Sequence, residues 1–155
     1  MSTPTFAVEA AGQILHLNVR KVGSDDEKEL VVDAKLILRA VSRELAAFFD
    51  EALAAFLWRQ DAEGLYVRNP WLSTVRYGCI VRDVRVGVGA LVFQNCDVRK
   101  FALDPIDGGL FHLTCVAELA PTSKQLGELG KIVQEEAHLS LKQASLFGEG
   151  AENDQ

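Results

Sequence analysis

The residues of this chain best placed by type to move a proton near neutral pH are three histidines, His16, His112 and His138. Nucleophilic hydrolysis would need a Ser or Cys held beside one of them, and a metal centre would need ligands at paired spacing. The sequence has no Gly-x-Ser-x-Gly elbow and no His pair at metal spacing. Each histidine instead alternates with apolar neighbours, the pattern of a solvent-facing strand position. Asp104 and Asp107 are two acids close enough in sequence for acid-base work, but Pro105 and Gly108 mark them as turn formers. Gly87-Val88-Gly89 lacks the third glycine, the following helix and the Lys-Ser/Thr of a phosphate loop, and reads as a strand kink. Asp25-Asp26-Glu27 is too short a ligand series for a calcium loop and suits a solvated hairpin tip. The expectation is therefore a protein that is not an enzyme, with no catalytic residue, no metal and no cofactor.

Cys79, Cys96 and Cys115 are odd in number, far apart and set among apolar residues, with no Cys-x-x-Cys spacing. They read as buried thiols in a reducing compartment, with no disulfide. The first residues lack the basic and apolar segments of a signal peptide, and no run approaches the roughly 18 apolar residues of a spanning helix. A cytoplasmic protein without membrane association is expected.

Charge points instead to binding. The net charge of −6 opposes a general grip on nucleic acid. Residues 64–100, however, hold six basic side chains (Arg68, Arg76, Arg82, Arg85, Arg99 and Lys100) against two acids (Asp83 and Asp97). That stretch carries a surplus of four positive charges, which leaves the remainder at −10. Tyr66, Trp71 and Tyr77 are interleaved with these cations, so one reading is a single-stranded nucleic-acid interface in which the cations follow phosphates and the rings stack on bases. The other reading, placed first, is a protein-interaction module able to associate with itself. Its motivation is the acidic average surface, the candidate interface residues Trp58 and Trp71, and a β-rich middle with an edge that could pair with another chain.

The elements that would position these residues follow from periodicity. Leu15, Leu17 and Val19 alternate with polar residues, and Leu30, Val32, Ala34, Leu36 and Leu38 share one face, so the two segments predict a hairpin. Ser42 is placed to cap a helix whose stripe is Leu45, Phe48, Phe49, Ala52, Leu53, Phe56 and Leu57. Trp58 points away from that stripe and is expected to pack under the following loop. In the middle, Val75, Tyr77, Cys79 and Val81 lie on one face, but Val84, Val86 and Val88 restart the alternation out of phase, which predicts a bulge near Arg82-Asp83. That shift would bring Arg76, Arg82 and Arg85 to one surface. Phe111, Leu113, Cys115, Ala117 and Leu119 predict a further strand. Thr122 with Gln125 forms a capping box before a second helix, in which Gly127 and Gly130 make sense if another backbone packs closely. A short strand near Leu139–Leu141 ends the fold.

The run Phe93-Gln94-Asn95-Cys96-Asp97-Val98-Arg99-Lys100-Phe101-Ala102-Leu103, followed by Asp104-Pro105 and Gly108-Gly109, resembles a pattern in small uncharacterised bacteriophage and prophage proteins. The resemblance implies an accessory binding protein, in the cytoplasm of the host cell, and carries no site residue or activity with it.

Taken together, the sequence predicts a single α+β domain over residues 1–147 with a disordered acidic tail at 148–155. Its sheet is mixed and mainly antiparallel, of about six strands, with two amphipathic helices in the order β-β-α-β-β-β-α-β.

Overall fold

Alternation of apolar and polar residues makes the long strands, and two of them carry it almost without fault. In the computed structural model, which describes residues 5–23, 29–71 and 73–144, β2 (Glu29–Ser42) buries Val32, Ala34, Leu36 and Leu38. Likewise β8 (Leu110–Leu119) buries Phe111, Leu113, Cys115, Ala117 and Leu119. The other main strands are β1 (Ala7–Val22), β6 (Val81–Val88), β7 (Leu91–Ile106) and β9 (Ala137–Gln143). Each main strand pairs antiparallel with two others, β1 with β2, β2 with β8, β8 with β7, β7 with β6, β6 with β9 and β9 with β1. The ring is closed, so these six strands form a barrel. Within it, β6, β7 and β8 form a meander and β9 returns beside β6, which is Greek-key order, while the β1-β2 hairpin fills the remaining gap.

The strands close because they bend at bulges. Apart from a slip between Ile14 and His16 that involves no left-handed residue, the register slips between Leu38 and Val41, Val81 and Val84, Val84 and Val86, and Arg99 and Ala102. Each of these last four holds one non-glycine residue with positive φ: Ala40 at 55°, Asp83 at 59°, Asn95 at 55° and Lys100 at 58°. An extra residue in the left-handed region turns the strand and resets which side faces inward. Buried positions accordingly step by three across each bulge, from Leu38 to Val41, Val81 to Val84, Phe93 to Cys96 and Val98 to Phe101. The phase change expected near Arg82-Asp83 is one of these four.

Smaller elements cap the wall. A 3₁₀ turn (Arg43–Leu45), α1 (Ala46–Phe49) and α2 (Leu53–Leu57) replace the single amphipathic helix expected after Ser42. Asp50 breaks it. Its backbone is extended, and its carboxylate accepts the Ala52 N–H at 2.9 Å, a local bond that competes with helix continuation. Ser42 makes no cap, because its hydroxyl donates to Glu44 instead. The break lets Phe48 reach Phe6 (ring centroids 5.2 Å apart) and Phe49 reach both Phe101 (5.1 Å) and Tyr77 (5.0 Å). A small hairpin, β3 (Trp58–Gln60) with β4 (Tyr66–Arg68), follows, and β5 (Val75–Tyr77) adds to the same edge of β7 as β6. The fold is thus a mainly antiparallel α+β domain that has, among the described residues, a sheet of seven strands, larger than expected, and three short helices.

α3 (Ser123–Ile132) carries the expected capping box, with the Gln125 N–H donating to the Thr122 hydroxyl at 3.1 Å and the Thr122 N–H to the Gln125 side chain at 2.9 Å. Its glycines do not serve close packing, since a Cβ added at Gly127 or Gly130 would meet nothing within 4 Å. The crowded glycine is Gly12 in β1, where a Cβ would lie 1.9 Å from the Ile37 carbonyl oxygen and 2.9 Å from a Leu139 methyl. The tip of the first hairpin (24–28) and the terminal residues expected to be disordered lie outside the described residues.

These contrasting glycines give a direct test of the fold. Gly12→Ala should destabilise by about 3 kcal/mol or more because backbone, not a flexible side chain, must move. Gly130→Ala should stabilise by up to about 1 kcal/mol. Denaturant unfolding of the two variants would show opposite shifts in midpoint; equal shifts would contradict the barrel register around Gly12.

Candidate anion-binding cleft

Four strands build the outer face that matters most. Arg76 of β5 lies opposite Ala102 of β7, Ala102 opposite Thr114 of β8, and Thr114 opposite Ile37 of β2. One register step away, Lys35 of β2 lies opposite Val116 of β8, and Lys100 occupies the bulge in β7. Small and half-buried side chains at Ala102, Thr114 and Val116 leave a half-open cleft of about 550 Å³ over the sheet, walled by Lys35, Arg76, Lys100 and Tyr77. Among the described residues no carboxylate lines it. Among the described residues, Lys35, Arg76 and Lys100 make no ion pair.

The cleft keeps its charge because the neighbouring acids are already occupied. Arg20 bonds Asp33 at 2.7 Å and Glu118 at 2.9 Å, while Arg99 approaches the same two acids at 3.2 and 3.7 Å. This network joins β1, β2, β8 and β7 and carries no net charge. Hydrogen bonding from Arg20, and then from Arg99, holds the Asp33 carboxyl below the usual carboxylate range despite its partial burial.

The sequence-level candidates therefore separate. Arg76, Lys100 and Tyr77 meet at the cleft, but Arg82 bonds Asp97 at 3.0 Å, and Arg99 belongs to the network. Arg85 lines a different depression with Asp83, Gln94, Asn95 and Lys142, so the bulge does not gather Arg76, Arg82 and Arg85 into one site. Arg68 sits on β4 with its backbone N–H donating to Asp107 at 2.9 Å, which shows Asp107 holding the hairpin against the barrel. One face of Tyr66 is covered by the Arg43 guanidinium, 3.8 Å from the ring centre. Trp58 is buried, its indole N–H donating to the Ile106 carbonyl at 2.8 Å, so it presents no surface to a partner. Trp71 is exposed over 86% of its surface.

Lys35 was missed by sequence reasoning because it lies 41 positions before Arg76 and looks like any solvent-side strand residue. Only closure of the barrel brings it to the cleft. Of the cysteines, Cys96 and Cys115 are buried, which pushes their thiols up to about 11 and about 12, whereas Cys79 is exposed, contrary to expectation. The histidines stay outward: His112 accepts the Ala40 N–H at 3.2 Å, and His138 lies 3.2 Å from Glu9.

The network makes a pH-dependent prediction. Because the folded-state pKa of Asp33 is depressed, its stabilising contribution is complete above the unfolded-state value near 4 and is lost as pH falls through the folded value. Asp33→Asn should cost about 1 kcal/mol between pH 6 and 8, and the gap to wild type should close below about pH 4. A gap independent of pH would contradict the network.

Searches against known protein families, curated proteins and solved structures return no match to this chain, so neither a family nor the bacteriophage resemblance is supported by them.

Proposed function

We propose that the protein is a non-enzymatic binding module whose cleft takes the phosphates of single-stranded nucleic acid. One observation carries the reading: Lys35, Arg76 and Lys100, from three different strands, line one cleft with no carboxylate of the described residues among its walls. Three cations without an ion-pair partner among the described residues, set on a sheet, favour a polyanion, and the Thr114 hydroxyl adds a neutral donor. The walls supply donors for an anion from two ammonium groups and a guanidinium. The overall charge of −6 opposes indiscriminate binding, which suits a local site better than a general basic surface.

The protein-interaction reading loses two supports, buried Trp58 and a free strand edge, and keeps another. Barrel closure leaves the β-rich middle without the long free edge that strand addition would use. Exposed apolar residues still favour a protein partner or self-association, with Phe56 and Trp71 joined through Asn69 near the base of the β3-β4 hairpin and Leu65 at its tip. Light scattering and affinity capture test it; a monomer that recovers no partner would end it.

For the cleft, the variant pair should keep the fold intact. Lys100 occupies a left-handed bulge position, so Lys100→Gly removes the cation while relieving backbone strain. Combined with exposed Arg76→Gln, it should leave stability unchanged or raised. With about 0.7 counterions released per neutralised phosphate on a single strand, the wild-type salt slope should be near 2 and that of the double variant below 1. Anisotropy titration of a labelled oligonucleotide at two salt concentrations measures both. Absence of wild-type binding at low salt, or an unchanged slope in the variant, overturns the proposal.

A further inference from the structure

We infer that Trp71 is the base-stacking platform of the strand whose phosphates lie in the cleft, an inference that rests on the preceding reading. Of the three aromatic residues interleaved with the basic stretch, Tyr66 already carries the Arg43 guanidinium on one face and Tyr77 is stacked on Phe49. Trp71 has an open ring.

Its position is fixed although its side chain is bare. The Trp71 N–H donates to the Asn69 side chain at 3.2 Å, and the Asn69 N–H donates to the Leu57 carbonyl at 2.8 Å, which ties the turn to α2. Leu57 is itself fully buried. The backbone that carries the ring is thereby anchored, and every base offers a face to an open ring. Arg76 follows five residues later, so the two Cα atoms are at most about 18 Å apart. A strand of about four nucleotides, the lower end of the site sizes of barrel folds that bind single strands, spans that distance.

The two tryptophans make the test specific. Trp58 is buried with its N–H bonded, so emission that changes on adding oligonucleotide reports Trp71. Oligothymidylates of increasing length should quench that emission with the same midpoint as the anisotropy of a labelled copy, beginning near four nucleotides. Trp71→Ala should weaken binding about tenfold with an unchanged unfolding midpoint, Trp71→Phe should restore most of the affinity, and a duplex should not quench. Binding without quenching, or Trp71→Ala at wild-type affinity, overturns the stacking role and leaves the cleft standing. No binding in anisotropy overturns both. Emission that shifts with protein concentration alone would assign Trp71 to a protein contact and overturn the inference.

Discussion

Closing six antiparallel strands on themselves demands that each bend while keeping one side apolar. In this chain single extra residues in the left-handed region meet both demands. Ala40, Asp83, Asn95 and Lys100 each turn a strand and restore its inward phase, so Val41, Val84, Phe93, Cys96 and Phe101 all reach the core. A non-glycine residue costs about 1–2 kcal/mol in that conformation, least for Asn and Asp, and burial of large side chains at roughly 1.5–3 kcal/mol each offsets it. Once the ring closes, no buried residue among those described is polar or charged. The wall's outer face is then where charge must be arranged.

That arrangement follows from register. Asp33 and Glu118 lie opposite each other on β2 and β8, where two carboxylates would repel unless cations bridged them. Arg20 and Arg99 bridge them from the flanking strands. Adjacent to Arg99, the bulge places Lys100 beyond reach of those acids and into the cleft with Arg76 and Lys35. One inserted residue thus separates a cation that stabilises the wall from one free to meet a ligand.

Local signals were legible in the sequence where one element determines its own geometry. The alternation in β2 and β8, the Thr122 capping box and the phase change between Val81 and Val84 were all readable for that reason. The segment after Ser42 was not, although its helical stripe is regular. Aromatic contacts of Phe48 and Phe49 with Phe6, Phe101 and Tyr77, distant in sequence, favour a break at Asp50 over a continuous helix. The candidate site was half legible for the same reason. Arg76, Lys100 and Tyr77 stood in the basic stretch, but nothing local distinguishes Arg99, which an ion network takes, from Lys100, or marks Lys35 as their neighbour. Strand pairing decides both.

On the proposed function, the outer face of β2, β8, β7 and β5 receives the ligand. Backbone amide shift mapping of the isotopically labelled protein titrated with a short oligothymidylate tests it most directly. Perturbations should saturate together and cluster at Lys35, Arg76, Lys100 and Thr114, which meet only if the barrel closes. Perturbations confined to Arg85 and Lys142, or to the β3-β4 hairpin around Leu65, would contradict it.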